Sequence, residues 1–188
     1  MVYGGPGLTE TIDLSNLSAA QGFTIQGDAT GDEAGYSVSS AGDVNGDGYD
    51  DLIVGAPFGA DGGRDAGEAY IVFGGPGLTG TIDLSTLSQA QGFIIQGDVA
   101  GNQAGVSVSS AGDINGDGFD DVIVGAYGYD YDPDNRYSGN YYLSTGEAYV
   151  IYGGATGIED TTNVSTVGTA AGIISPAMRA MMSSRILD

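Results

Sequence analysis

Apolar and small polar residues alternate along this chain over short spans, and the spans richest in β-branched residues are bounded by glycine. Asp51-Leu-Ile-Val-Gly-Ala56, Asp121-Val-Ile-Val-Gly-Ala126 and Glu68-Ala-Tyr-Ile-Val-Phe-Gly74 read as strands. Residues 35–42 (Gly-Tyr-Ser-Val-Ser-Ser-Ala-Gly) precede the first of these, and 93–97 (Phe-Ile-Ile-Gln-Gly) follow the third, which makes a set of four. The segment between the last two, Gly-Pro-Gly-Leu-Thr running to Ile-Asp-Leu-Ser, reads as a connection without regular structure. No window longer than about a dozen residues carries helical periodicity ahead of the C-terminal stretch. The expected fold is all-β, with 35 glycines serving tight turns and close backbone approaches.

The pattern repeats. Gly4 and Gly74, Asp28 and Asp98, Asp43 and Asp113, and Gly55 and Gly125 each stand 70 residues apart, and aligning 2–56 with 72–126 leaves 13 differences in 55 positions. Differences in and after the acidic loop, such as Val44/Ile114, Tyr49/Phe119 and Leu52/Val122, nearly preserve apolar volume. A fixed long period marks a repeat architecture, and four antiparallel strands per unit suit a propeller blade. The expected organisation is the second half of a blade (1–34), a complete blade (35–104), a second blade (105–154) and a low-pattern tail (155–188). That is about two and a half blades, against the four to eight of a closed propeller.

The chemistry concentrates in two stretches, Asp43-Val-Asn45-Gly-Asp47-Gly-Tyr49-Asp-Asp51 and Asp113-Ile-Asn115-Gly-Asp117-Gly-Phe119-Asp-Asp121. Each places side-chain oxygens at positions 1, 3, 5 and 9 and a glycine at position 6. Ca²⁺ takes six to eight oxygens at about 2.3–2.6 Å, and acidic loops with a glycine at the sharp turn supply them. Position 7 would add a backbone carbonyl, from Tyr49 in one loop and Phe119 in the other. An EF-hand needs a bidentate Glu at position 12 and flanking helices, whereas position 12 here is Val54 or Val124, inside a strand-like run. Dockerin modules fail on the same point, and glycine-rich nonapeptide calcium repeats space their glycines differently. The competing reading is a metal-free Asp-Gly hairpin turn; the same four ligand positions occurring twice favour two calcium sites.

Gly35-Tyr-Ser-Val-Ser-Ser-Ala-Gly-Asp-Val-Asn-Gly-Asp-Gly-Tyr-Asp-Asp-Leu-Ile-Val-Gly-Ala-Pro57, matched again by 105–126, resembles the FG-GAP repeat of integrin alpha-chain β-propellers, which also occurs in related bacterial proteins. The Phe-Gly element stands as Ala-Gly at 34–35 and 104–105, and Gly-Ala-Pro becomes Gly-Ala-Tyr at 125–127. The resemblance implies a calcium loop joining the first two strands of a blade. It also implies a role in extracellular recognition or adhesion, with ligands usually contacted by other loops.

A formal net charge of −21, from 25 acidic residues against four arginines, excludes phosphate-neutralising contact with nucleic acid and attraction to anionic membranes. Cysteine is absent, so no disulfide staples the fold, and no run approaches the length of a membrane span. Met1-Val-Tyr-Gly-Gly is not a signal peptide. Calcium is plentiful outside cells, so the loops favour an extracellular or cell-surface location. Open blade edges and apolar faces favour self-association into a homo-oligomer.

Two parts break the repeat. Gly125 to Glu147 is nine residues longer than Gly55 to Glu68, and the enlarged segment 127–142 holds six of the twelve tyrosines. It reads either as a locally packed edge cover or as a binding surface. Asp130, Asp132 and Asp134 alternate there, but Arg136 takes the place of a turn glycine, which argues against a third ion. Ser175-Pro-Ala-Met and the residues after it offer a helix start.

Histidine and cysteine are both missing, which removes the commonest general base and the thiol nucleophile. The sequence therefore points to a calcium-binding, non-catalytic module that recognises an extracellular protein or glycan. The alternative is a scaffold fragment of a larger secreted hydrolase.

Overall fold

The computed structural model describes Val2, Gly4, residues 11–128 and 146–155, and the backbone of Thr162 and Asn163. Expectations for Tyr129–Tyr142, for the tail beyond Ala155 apart from that backbone, and for a closing strand near 164–174 lie outside the described residues. Among the described residues ten strands run in chain order: β1 (Phe23–Gln26), β2 (Ser37–Gly42), β3 (Asp51–Ala56), β4 (Glu68–Val72), β5 (Gly80–Asp83), β6 (Gly92–Gln96), β7 (Ser107–Gly112), β8 (Asp121–Ala126), β9 (Glu147–Ile151) and β10 (Thr162–Asn163). The all-β reading holds: among the described residues there is no α-helix, and no helix long and apolar enough to cross a membrane.

The core of each repeat is an antiparallel sheet. β2, β3, β4 and β6 lie side by side in that order, and β7, β8 and β9 repeat the first three. Registers match residue for residue across the two units, including a bulge between Ser40 and Gly42 and between Ser110 and Gly112. The apolar runs of β3 and β8 follow from burial: β3 is buried on nearly every position of both faces, and β8 on one face with Ile123 half-buried on the other, which selects Leu, Ile and Val without polar alternation. One face of the first sheet presents Ile53, Ala69, Ile71 and Ile95 to Val122, Val124, Tyr149 and Ile151 of the second. The other face presents Val54, Tyr70 and Val72 to Phe23 of β1 and to Ile82 and Leu84.

The connection expected to be irregular contains a strand. β5 pairs in parallel with β1, Ile25 opposite Ile82, and ends in a 3₁₀ turn over Leu84–Thr86. Its glycine and threonine hide it in the sequence; Ile82 and Leu84 hold it by turning inward. Asp83 caps the turn, accepting from the Ser85 N–H at 3.0 Å and the Ser85 hydroxyl at 2.6 Å. β10 pairs in parallel with β6 in the same way, Thr162 opposite Ile95, so the outermost strand of one unit receives the connector of the next.

The two units approach closely through glycine. A Cβ on Gly55 would collide with the Gly105 carbonyl and the Ser37 hydroxyl. That hydroxyl donates to the same carbonyl at 2.7 Å. Gly55→Ala is expected to cost about 1–3 kcal/mol by overpacking, read as a lower midpoint in chemical denaturation. A midpoint equal to wild type would contradict this contact.

Candidate metal centres

Each acidic loop joins the first two strands of its unit and is curled around its own first carboxylate. Asp43 Oδ1 accepts from the Gly46 N–H at 2.8 Å and the Asp47 N–H at 3.0 Å, and Oδ2 accepts from the Gly48 N–H at 2.9 Å. The second loop repeats these bonds on Asp113, from Gly116, Asp117 and Gly118, at 2.7, 3.0 and 2.9 Å. Such wrapping requires left-handed backbone at positions 4 and 6, where φ is 75° and 89° at Gly46 and Gly48, and 77° and 92° at Gly116 and Gly118. Position 3 meets position 5: Asn45 and Asn115 donate to Asp47 and Asp117, each at 3.0 Å. The N–H of Tyr49 donates to Asp47 at 2.9 Å, and that of Phe119 to Asp117 at 3.0 Å.

The ninth residue anchors the loop from beneath. Asp51 and Asp121 are fully buried. Asp51 accepts from the Val44 N–H at 2.9 Å and from the Gly74 N–H, just past β4, at 2.8 Å; Asp121 accepts from Ile114 and Gly153 at 3.0 Å each. One carboxylate thus ties the loop to the exit of the third strand. Burial pushes the Asp51 carboxyl above the ordinary aspartate value; the Gly74 and Val44 N–H groups pull it back, and the charges of Asp47 and Asp43 raise it again.

Three carboxylates and an amide in each loop make an all-oxygen donor set, which fits a hard divalent cation and no soft one. Among the described residues, however, the place where three acidic side chains bring oxygens within 4.8 Å of one another is Asp28, Asp61 and Glu68. Sequence reading missed this group because its members are scattered over 40 residues. The signal available was the repeat itself, which retains Asp98, Glu147 and Tyr149 in place of Asp28, Glu68 and Tyr70. Glu68 is fully buried, accepting from the Tyr70 hydroxyl at 2.5 Å and from the Asp61 N–H at 3.1 Å. The Tyr149 hydroxyl likewise donates to Glu147. Burial raises the Glu68 carboxyl above its ordinary value, and the neighbouring charges of Asp61 and Asp28 add to the rise, outweighing the two hydrogen bonds.

These features define a repeat protein built on antiparallel blades, each with an acidic, glycine-turned loop between its first two strands. The repeats are FG-GAP repeats: the family model of that description matches residues 34–72 and 104–151. Among similar proteins, integrin alpha-PS2 of Drosophila melanogaster is 33% identical over 159 residues, 81% of this chain and 10% of its own length. Integrin alpha-5 of Xenopus laevis is 38% identical over 100 residues, 51% of this chain and 9% of its own length. Integrin alpha ina-1 of Caenorhabditis elegans is 38% identical over 109 residues, 55% of this chain and 9% of its own. The chain thus spans about a tenth of the length of these relatives.

Glu68 holds its proton to higher pH in the folded state than in the unfolded one. Its contribution to stability is complete below the ordinary glutamate value of 4.5 and is lost as pH rises through the elevated folded value. Thermal melts of chelator-treated protein are therefore expected to show stability falling as pH rises from the ordinary glutamate value through the elevated folded one, and Glu68→Gln to flatten that fall. An unchanged slope in the variant would contradict the raised Glu68.

Proposed function

We propose that this chain is a calcium-stabilised propeller-type module for extracellular or cell-surface recognition or adhesion, in which calcium is structural and no catalysis occurs. The observation that carries this reading is the pair of identically folded all-oxygen loops in FG-GAP repeats related to integrin alpha chains. One ion would be held by Asp43, Asn45, Asp47, Asp51 and the Tyr49 carbonyl. The other would be held by Asp113, Asn115, Asp117, Asp121 and the Phe119 carbonyl. The cation supplies positive charge among carboxylates that otherwise repel one another and so rigidifies the first hairpin of each blade. The partition into residues 1–34, 35–104, 105–154 and 155–188 follows from assigning one loop to each full repeat.

The ligand in this reading is an extracellular protein or a glycan, engaged by loops other than the two acidic ones. Tyr127, exposed at the start of the enlarged loop, belongs to that surface. A glycan array and a panel of extracellular proteins, probed with the chain and with a version cut back over 127–142, test this recognition role.

Calorimetric titration is expected to give two calcium ions per chain, and Asp43→Asn or Asp113→Asn one each. At a calcium concentration about 100-fold above the dissociation constant each ion adds about 2.7 kcal/mol, or about 5–10 °C in Tm for a chain of this size. A stoichiometry of two retained in Asp43→Asn, or no binding at all, would overturn the calcium assignment.

A further inference from the structure

Seven asparagines stand in the chain, and of these only Asn45 and Asn115 are followed by glycine. The same two residues occupy the third positions of the acidic loops. An Asn-Gly pair is far more open than other pairs to spontaneous loss of its amide. The glycine nitrogen has no neighbouring side chain to shield it and can swing back onto the asparagine Cγ. In a folded protein the fate of such a pair depends on whether nucleophile and amide are free to meet.

In both loops they are tied down separately. The nucleophile, the Gly46 nitrogen, donates its proton to Asp43 Oδ1 at 2.8 Å, and the Gly116 nitrogen donates to Asp113 at 2.7 Å. The amide is fastened at both ends by the residue two positions on. Asn45 Oδ1 accepts from the Asp47 N–H at 2.9 Å while its Nδ2 donates to Asp47 Oδ2 at 3.0 Å, and Asn115 makes the same two bonds with Asp117. Ring closure requires both ties to open together: the glycine N–H must leave its carboxylate, and the side chain must turn its Cγ toward the nitrogen. Water is at hand, since Gly46 and Asp47 are exposed even with the second unit packed alongside.

The ties are made of the same carboxylates that form the loop's donor set. Asp43 holds the nucleophile and Asp47 holds the amide. Positive charge placed among them offsets their repulsion and steadies both ties; without it the carboxylates push apart and the loop opens more often. We propose that Asn45 and Asn115 are self-modifying positions, which lose their amides by way of a succinimide whenever the loop stands open, and that a bound divalent cation keeps both unreacted.

In the open loop the Gly46 nitrogen attacks Asn45 Cγ. The N–Cγ bond forms, the Cγ–Nδ2 bond breaks, and the amide group leaves as ammonia with the proton from the glycine nitrogen. Water then opens the ring. Cleavage on the Cγ side leaves aspartate; cleavage at the main-chain carbonyl leaves isoaspartate, with the chain running through Cβ and Cγ. The sum is asparagine plus water giving a carboxylate and ammonium, with no oxidant. The aspartate product brings a further carboxylate into the loop. The isoaspartate product adds one carbon to the main chain ahead of position 4, which takes the Gly46 and Asp47 N–H groups out of register with Asp43. The loop thereby keeps a record of time spent without its ion. The inference rests on the calcium reading for what closes the loop, whereas the reactivity of the Asn-Gly pair does not.

Peptide mapping by mass spectrometry tests this on the 188-residue protein, incubated at mildly alkaline pH with calcium or with chelator while ammonia release is followed. In chelator Asn45 and Asn115 are expected to convert ahead of Asn16 and Asn102, with isoaspartate among the products. At calcium about 100-fold above the dissociation constant the ion-free loop is about 100-fold rarer, and conversion is expected to slow in proportion. Asn45→Gln, whose longer side chain must close a larger ring, is expected to silence the first site and leave Asn115 converting under the same control by calcium. Equal rates in calcium and chelator, with calorimetry showing the ion bound, would overturn the inference and leave the calcium reading standing. Calorimetry showing no ion would overturn both. Conversion of Asn45 and Asn115 in chelator no faster than that of Asn102 would overturn the inference whatever the loops bind.

Discussion

A carboxylate withdrawn from water must be met by hydrogen bonds or by opposite charge, because leaving it unmet costs several kcal/mol. Asp51 and Asp121 are such groups, and each is met by two backbone N–H groups from different places: the second residue of its own loop, and a glycine two residues past the third strand. Everything else in a blade hangs on that tie. It fixes the loop over the end of the sheet, sets the exit of the third strand, and leaves Asp43, Asn45 and Asp47 gathered on the outer side. Burial raises the Asp51 carboxyl first and the charges of Asp47 and Asp43 add to the rise; a divalent cation among them would offset that repulsion.

The same loops also space the blades. Glycine at position 4 removes a side chain so that the aromatic ring at position 7 of the next loop can lie in its place, and Asp120 then grips the first residue of the preceding loop. Loop chemistry and blade packing are consequently one device. A substitution at Gly46 would disturb the conformation of its own loop and the seat of Phe119 together, since its φ of 75° and its neighbour both exclude a side chain.

Much of this was legible in the chain. The β-branched runs at 51–56 and 121–126 and the 70-residue period identified the sheets, because side chains buried on both faces leave only apolar choices. Other features were not. β5 is invisible in Gly80-Thr-Ile-Asp83 because only Ile82 turns inward and the pairing that makes it a strand comes from Phe23–Gln26, more than 50 residues earlier. Tyr49 and Phe119 looked interchangeable as carbonyl donors, whereas the Phe119 ring has a specific seat on a glycine 73 positions away. Asp28, Asp61 and Glu68 come together from the segment after β1, the β3–β4 connection and the first residue of β4, and no local spacing announces them.

In the proposed module the oxygens of the two acidic loops, and not the Asp28–Asp61–Glu68 group, would hold the cation. Crystals grown in calcium and measured for anomalous scattering decide it. Two anomalous peaks per chain are expected, each ringed by the side-chain oxygens of positions 1, 3, 5 and 9 at about 2.3–2.6 Å. A peak between Asp28, Asp61 and Glu68 with none at the loops, or ordered loops without any peak, would contradict it.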